Sequence, residues 1–292
     1  MAAHVPTTAG VRLRPPHSDD AQECGRICFE AFGAISGQHN FPNDFPNVEA
    51  ATGVVGMLIE HPQFYGLVAE RDGRVVGSNF LDERNVIAGV GPITVDPSAQ
   101  NRGVGRQLMQ GVLDRAAERR FAGVRLVQAG YHARSFSLYT SLGIQVRETL
   151  ACVQGEAKRI EIPGRSTRVV HERDLDACNA VSLRVHGHTR AGELADAVRA
   201  GTATLVEHGG RVTGYSTAVA FFGHTVGETD DDVKALIGDT PVFAGPGFLV
   251  PARSPLVRWC LEQRYRVEQL LTLMSIGLYN EPKGAFLPSI LY

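Results

Sequence analysis

A short segment, Gln100 to Gly105, has residue types and spacing suited to holding a phosphate-bearing ligand. It follows an apolar run that stops at Asp96-Pro97, and a helical pattern begins directly after it. The first turn of a helix carries unpaired N–H groups and the positive end of the helix dipole, so it favours anions. Gly103 and Gly105 have no Cβ, so a diphosphate can approach the backbone closely. The segment therefore predicts a phosphate cradle.

The spacing separates this segment from two common phosphate-binding loops. A Walker loop requires a lysine directly after its second glycine, and here Arg106 follows Gly105. A dinucleotide-binding fingerprint requires a third glycine three residues later, where this chain has Leu108. Neither a nucleoside triphosphate loop nor a nicotinamide-type loop is therefore indicated.

The pattern instead resembles the coenzyme A loop of the GNAT superfamily of N-acetyltransferases. That loop has Gln or Arg, then Gly three residues later, then Gly or Ala two residues after that. Gln100, Gly103 and Gly105 match all three fixed positions, and they follow an apolar strand that ends in Asp-Pro.

A second segment, His132 to Ile144, resembles a motif on the last helix of many GNAT proteins. The motif reads N-x-x-A-x-x-L-Y-x-x-x-G, followed by Phe or Ile. His132 stands in place of the motif's Asn, and Ser135 stands in place of its Ala. The positions that are kept are Leu138, Tyr139, Gly143 and Ile144.

Hydrophobic periodicity and turn residues predict the element order β-α-α-β-β-β-α-β-α-β over residues 11–153. This is the order of a GNAT domain. The predicted fold class is therefore α/β (mixed α+β). The resemblance implies a mostly antiparallel mixed sheet with helices on both faces.

The second half of the chain repeats the first. Val68 to Gly77 has an echo in Leu205 to Gly214, where a strand, a glycine turn and Arg-Val-x-Gly recur. The run from Tyr215 to Phe222 resembles the strand that follows this hairpin. We therefore predict tandem GNAT-like domains at residues 1–158 and 165–292. The helix-opening loop of the second domain lacks the glycine pair, and Pro255 removes a backbone donor there. The second domain is expected to be degenerate, so that one acetyl-CoA binds per chain.

The resemblance implies acetyl-CoA as co-substrate and assigns residues to it. Ile93, Thr94 and Val95 would pair their main chain with the pantetheine amides. Tyr139 would act as the general acid that protonates the leaving thiolate. The remaining cofactor-binding residues would be Gln100, Asn101, Arg102, Gly103, Val104, Gly105, Arg106 and His132.

The general base is less clear, because the run Ile87 to Val95 contains no acidic residue and no histidine. Glu83 and Asp82 are the nearest carboxylates, and Glu83 is the one we predict. His39 and His132 are alternatives. A water chain, or an amine that arrives partly neutral, would need no such residue.

These features predict an enzyme, an acyltransferase that moves an acetyl group to a primary amine of a small molecule by direct attack in a ternary complex. A non-catalytic acyl-CoA sensor and a protein N-acetyltransferase are the alternatives. The acceptor region is expected in residues 33–47 and in parts of the second domain, but no residue there selects among amino acids, polyamines, aminoglycosides and peptides.

Composition narrows the class of protein further. The 292 residues have a net charge of −2 and are 43% hydrophobic, which is unlike a nucleic-acid-binding or disordered chain. We expect no membrane association, no metal and a cytoplasmic location, with a homodimer left open. The five cysteines are sparse and form no CxxC pair, so reduced thiols are expected.

Overall fold

Fourteen strands and eight α-helices order residues 10–291, the part of the chain that a computed structural model describes. Helices are interspersed among the strands along the chain, and the fold class predicted from the sequence is confirmed. The elements of the first half are β1 (Val11–Arg14), α1 (Asp20–Gln38), α2 (Val48–Glu60), β2 (Phe64–Arg71), β3 (Arg74–Asp82), β4 (Ile87–Val90), β5 (Thr94–Val95), α3 (Val104–Glu118), β6 (Gly123–Ala129), α4 (Ala133–Ser141) and β7 (Gln145–Gln154).

The second half begins with a strand, two helices and a hairpin, which is the order of the first half. Its elements are β8 (Ser166–Val169), α5 (Leu175–His186), α6 (Ala191–Arg199), β9 (Thr204–His208), β10 (Arg211–Ser216), β11 (Thr225–Gly227), α7 (Asp230–Asp239), β12 (Phe248–Pro251), α8 (Pro255–Glu262), β13 (Arg266–Gly277) and β14 (Ala285–Leu287).

Local sequence explains several boundaries. Asn47 caps α2, because its side chain accepts a hydrogen bond from the Ala50 N–H at 2.8 Å. Asp72 and Gly73 form the tight turn between β2 and β3, and both have positive φ values, 51° and 73°. Such a turn joins antiparallel strands with the correct twist, as the Asp-Gly pair predicts.

One predicted strand is wrong in its extent. The pattern indicated a strand from residue 215 to residue 222, but β10 ends at Ser216. The chain turns back there, because the Thr217 N–H donates to the His224 carbonyl and the His224 N–H donates to the Thr217 hydroxyl, both at 2.8 Å. Phe221 and Phe222 therefore lie in a loop and not in the sheet.

The larger sheet has the strand order β1-β2-β3-β4-β6-β13-β7-β12, with β5 paired to β3. Its pairs are antiparallel except for β4 with β6. A smaller sheet has the order β14-β11-β10-β9-β8 and is antiparallel. The mixed, mostly antiparallel sheets agree with the prediction.

The two halves share the larger sheet. Strand β13 of the second half lies between β6 and β7 of the first half, with Met274 opposite Leu126 and Leu271 opposite Leu150. On the other side of β7 lies β12, with Leu249 opposite Cys152. Main-chain hydrogen bonds therefore join the regions predicted as two domains.

Helices cover both faces of the larger sheet in its first half. Leu67 on β2 belongs to the core cluster that includes residues of α3. The next residue, Val68, belongs to a different cluster, which includes residues of α1 and α2. Successive side chains of a strand point to opposite faces, so this alternation places α3 on one face and α1 with α2 on the other.

An ion-pair triad recurs in the two halves and supports the sequence repeat. Arg14 at the end of β1 bonds both carboxylate oxygens of Asp20, at 2.7 and 2.9 Å, and also bonds Glu70 on β2 at 2.8 Å. The second triad has the same distances to its aspartate, 2.7 and 2.9 Å, and consists of Arg168, Asp174 and Glu207.

Candidate functional site

Strands β4 and β6 of the larger sheet are paired at the start of β4 and separate after it. Strand β4 pairs in parallel with β6 only through Gly89, which lies opposite Arg125. Residues 91–93 belong to no strand, and β5 pairs with β3 alone. Pro92 lies in this break and has no N–H to donate to a ladder. A gap results between residues 91–95 and the C-terminal part of β6.

The glycine loop follows at the mouth of this gap. The side-chain amide of Gln100 donates to the Val95 carbonyl at 3.0 Å, which fixes the loop to the strand end. Gly103 is the N-cap of α3 and has φ 79°, a left-handed conformation that favours glycine. Glycine at position 103 is therefore favoured for two reasons, the backbone conformation and the close approach of a ligand.

The helix start leaves amide groups for an anion. The first bond of α3 runs from the Gln107 N–H to the Gly103 carbonyl, at 3.1 Å. The N–H groups of residues 104–106 take no part in the helix's own ladder. A Cβ at Gly105 would lie 3.7 Å from side-chain atoms of Leu138 and Val95, which is ordinary contact distance.

A cavity of about 430 Å³ fills the gap and continues beyond it. It has the volume of a small-molecule site. The structure brings together most of the residues that the sequence predicted for the site. Those that line the cavity are Ile93, Thr94, Val95, Gln100, Asn101, Gly103, Val104, Gly105, Arg106, His132 and Tyr139.

Tyr139 is buried, with 5% of its surface exposed, and it lines the cavity. Burial raises the pKa of its hydroxyl to about 12, and a hydrogen bond with Ser135 opposes this rise only in part. The phenol therefore carries its proton at neutral pH. It can donate that proton to a group in the cavity.

His132 caps α4. Its Nδ1 accepts a hydrogen bond from the Ser135 N–H at 3.3 Å, which is the capping role that Asn often has at such a position. Burial lowers the pKa of the imidazole to about 4, so the ring is neutral at pH 7. A group with so low a pKa is a weak proton acceptor, so His132 is better suited to shape the cavity wall.

Glu83 is not among the residues that line the cavity. It precedes β4, whereas the cavity lies beyond the other end of that strand. Both of its carboxylate oxygens accept hydrogen bonds from Arg115, at 2.7 and 3.1 Å. Asp82 is held in the same way by Arg84, at 2.9 and 2.6 Å. The structure therefore does not bring either carboxylate to the other predicted residues.

Arg102 and His39 also lie outside the cavity lining. Arg102 is exposed on the outer side of the glycine loop. The His39 ring contacts the Tyr131 ring at a tilt of 31°, with ring centroids 5.1 Å apart, and Tyr131 itself lines the cavity. His39 could act on the cavity only through this neighbour.

Sequence reasoning missed Asp44. This half-buried carboxylate lines the cavity and receives a hydrogen bond from the Gln269 side chain at 3.5 Å. Burial raises its pKa to about 6, and the Gln269 contact lowers it only in part. A signal was present, because Asp44 is the one acidic residue in the predicted acceptor region, residues 33–47.

The second half of the chain contributes to the cavity wall. Its residues come from the loop after β10, from β13 and from the C-terminal segment. They are Phe221, Phe222, Gln269, Leu271, Ile290 and Leu291. The sequence predicted that the second half would shape the cleft, and these residues agree with that prediction.

The corresponding gap of the second half is filled. Strands β12 and β13 both pair with β7, which lies between them. Ser254 caps α8, since its hydroxyl accepts a hydrogen bond from the Leu256 N–H at 3.2 Å. Arg253, just before it, pairs with Glu148 and Glu281, each at 2.6 Å.

Two kinds of feature are absent from residues 10–291. Within that range, no group of three or more His, Cys, Asp or Glu side chains is placed to hold a metal ion. Within the same range, no helix has both the length and the apolar character needed to cross a membrane.

A family model supports the interpretation of this site. The acetyltransferase (GNAT) family model matches residues 32–144, which include the glycine loop and the whole Tyr139 motif. The chain contains a GNAT acetyltransferase domain. A search of curated protein sequences found no match.

Solved structures share the fold over nearly the whole chain. A proposed acetyltransferase from Pyrococcus horikoshii is 15% identical, with TM-score 0.72 over 97% of this chain and 93% of that one. A GCN5-related N-acetyltransferase from Sphaerobacter thermophilus is 15% identical, with TM-score 0.61 over 93% and 96%. A tandem GNAT protein from the clavulanic acid biosynthesis pathway is 14% identical, with TM-score 0.55 over 91% and 98%. At these identities the likeness concerns the fold alone.

Proposed function

We propose that this protein is an acetyl-CoA-dependent N-acetyltransferase that acts on a primary amine of a small molecule by direct attack in a ternary complex. The observation that carries the proposal is one continuous cavity. It joins the glycine loop, the open edge of residues 93–95, the Tyr139 hydroxyl and a pocket built from both halves of the chain.

The loop and strand edge suit the two parts of coenzyme A. The N–H groups at the start of α3 would bind the diphosphate, with Arg106 beside them on the cavity wall. Strand β5 pairs with β3 on one side only, so its other edge has main-chain groups that the pantetheine amides could pair with. Bound acetyl-CoA would supply the thioester.

Tyr139 would act when the thioester breaks. The amine nitrogen forms a bond to the carbonyl carbon, and the carbon–sulfur bond then breaks with its electron pair on sulfur. The buried phenol, which is protonated at neutral pH, donates its proton to that sulfur. This role needs no metal and no covalent enzyme intermediate.

Isothermal titration of acetyl-CoA tests the proposal first. We expect one site per chain and a loss of affinity of tenfold or more in Gly103→Val, because valine is strained at φ 79° and obstructs the cradle. Gly73→Val is the matched control. Gly73 has φ 73° with no atom near its missing Cβ, and it lies in a turn away from the cavity.

Three results would contradict the proposal. Absence of acetyl-CoA binding would remove the cradle, and two sites per chain would contradict the filled gap in the second half. Binding without thiol release from acetyl-CoA, across a panel of primary amines, would replace the transferase with a sensor.

A further inference from the structure

The part of the cavity beyond the thioester position is strongly apolar. Its wall comes from α1, from the loop before α2, from β13 and from the loops and C-terminal segment of the second half. Residues that contribute aromatic or aliphatic side chains there are Phe32, Ile35, Phe45, Phe221, Leu271 and Ile290.

The charged residues of the cavity wall fall into two groups. Arg106 donates to the Ser141 hydroxyl at 2.6 Å, and Arg134 donates to the Asn101 side chain at 3.5 Å. Both arginines therefore belong with the glycine loop and α4. Asp44 is the one carboxylate of the wall, and it lies with Gln269 among the apolar residues.

Asp44 differs from the other sheltered carboxylates. Asp20, Asp82, Glu83 and Asp174 all pair with an arginine. Within residues 10–291, Asp44 has no ion-pair partner, and its hydrogen bond is a long one from the Gln269 amide. An uncompensated carboxylate in an apolar wall costs stability, so such groups are typical of sites that bind a cation.

We propose that Asp44 binds the ammonium group of the acetyl acceptor, and that the acceptor is a primary monoamine with an aromatic or aliphatic body. This inference rests on the proposed function. The apolar wall would hold the body of the amine, and the single carboxylate would fix its nitrogen at the cavity end. Asp44 is then the proton acceptor that the sequence did not reveal.

The proton balance of the reaction follows from this arrangement. The ammonium gives one proton to the Asp44 carboxylate, and the free electron pair on nitrogen forms the bond to the acetyl carbon. The sulfur leaves with the electron pair of the broken bond and takes a proton from Tyr139. Tyr139 regains a proton from the newly acylated nitrogen, and Asp44 releases its proton to solvent with the product.

Other acceptor classes fit the wall less well. An amino acid needs a cation for its carboxylate, and a polyamine needs more than one anionic partner. An aminoglycoside needs several hydrogen-bonding groups. Among residues 10–291 the cavity wall has no second carboxylate, and its arginines lie with the glycine loop and α4. The hydrogen-bonding groups beside Asp44 are the Gln269 amide and the Tyr131 hydroxyl. Leaving a polar group of the substrate unpaired in such a site weakens its binding.

Acetylation rates with matched amines test the substrate class. With acetyl-CoA saturating, kcat/KM is measured by thiol release for 2-phenylethylamine, hexylamine, spermidine and leucine. We expect the two monoamines to exceed spermidine and leucine by about 100-fold, the upper end of the penalty for one buried polar group left without a partner. Faster acetylation of spermidine or leucine would overturn the inference while the proposed function stands.

Asp44→Asn tests the residue, since it keeps the size of the side chain and removes its charge. We expect kcat/KM for 2-phenylethylamine to fall by about 100-fold, the loss typical of removing one partner of a sheltered charge pair. Asp44→Glu should retain more activity than Asp44→Asn, because the charge remains. Asp176→Asn is the matched control, as Asp176 is exposed on α5 and outside the cavity. Unchanged kinetics in Asp44→Asn would overturn the assignment.

The pH profile gives a signature that a structural role would not produce. The pKa of Asp44, about 6, predicts that kcat/KM falls as pH decreases through about 6, and that this limb is absent in Asp44→Asn. The titratable neighbours Cys28, Tyr131 and Cys152 stay neutral through this range, because burial raises each of their pKa values.

A binding measurement separates the inference from the proposed function. 2-Phenylethylamine is titrated into the protein saturated with coenzyme A, which cannot react. Binding that is lost in Asp44→Asn supports the inference even if no acetyl transfer occurs, and in that case the proposed function alone fails. Equal binding by wild-type protein and Asp44→Asn overturns the inference.

Discussion

The two halves of the molecule begin with the same order of elements. They differ at the gap between β4 and β6 in the first half and at the corresponding gap between β12 and β13 in the second half. In the first half, β4 leaves β6 after Gly89, and the cavity occupies the gap that opens. In the second half, β7 lies between β12 and β13 and pairs with both. A gap between two strands can thus hold a ligand or receive a third strand. The main-chain groups at the edges of the gap would pair with the ligand in the first case, and they pair with the inserted strand in the second.

The starts of α3 and α8 differ in a similar way, since only the start of α3 leaves its N–H groups open to a ligand. Gly103 offers no side chain to the N–H groups of α3, which remain for an anion. Ser254 uses its own hydroxyl to cap α8, and Pro255 has no N–H at all. The capping residue and the neighbouring strand together therefore determine whether a helix start can bind a ligand.

The largest expected effect concerns the shared sheet. A fragment of residues 1–158 lacks β13, which lies between β6 and β7 in the full chain. Its strand edges would be unpaired, so we expect no cooperative thermal unfolding by circular dichroism and no acetyl-CoA binding. The full chain is the control. A fragment that unfolds cooperatively and binds acetyl-CoA would show that the first half is independent.

The next effect concerns a pair of buried tyrosines, Tyr139 beside the cavity and Tyr265 in the core of the second half. Tyr139→Phe should lower kcat by about 100-fold, the usual loss when a general acid is removed. Tyr265→Phe should leave kcat unchanged. Stopped assays of thiol release measure both. A decrease of less than twofold in Tyr139→Phe would argue against its role as the acid.

The smallest effect concerns the repeated ion-pair triads. Asp20→Asn and Asp174→Asn should each lower the free energy of unfolding at pH 7 by about 1–2 kcal/mol, since each aspartate has a two-point contact with an arginine. Urea denaturation measures this loss. If the triads are equivalent, the two losses agree.

The pH dependence of these variants has a definite sign. The arginines hold the pKa of Asp20 and of Asp174 below the ordinary value. This contribution to stability is therefore complete above the unfolded-state pKa of about 3.9, and it disappears as pH falls through the lower folded-state pKa. The difference between wild-type protein and each variant should shrink below about pH 4. A difference that grows in acid would contradict the assignment.

Local signals allowed much of the first half to be predicted. Asn47 and the apolar period gave the start of α2, and Asp72 with Gly73 gave the hairpin turn. The glycine loop was recognised because its function depends on backbone groups at fixed spacing. These features involve residues close together in sequence, where periodicity and turn chemistry act directly.

The features that the sequence did not predict depend on residues far apart in the chain. Periodicity does not tell which strand lies beside β6, so the position of β13 was not predicted. Asp44 was overlooked, because its importance comes from an apolar wall that includes Leu271 and Ile290 from the far end of the chain. The prediction of a strand that extends to Phe222 was wrong, because hydrogen bonds between Thr217 and His224 turn the chain.

The position of β13 also affects the order in which the molecule is made. Residues 155–265 must leave the ribosome before β13 can enter between β6 and β7. Until then the glycine loop and Tyr139 exist without the strand that carries Gln269 and Leu271 to the cavity wall. The nascent chain must therefore keep its first half open, which makes this a protein whose folding depends on distant pairing and whose intermediates need protection from aggregation.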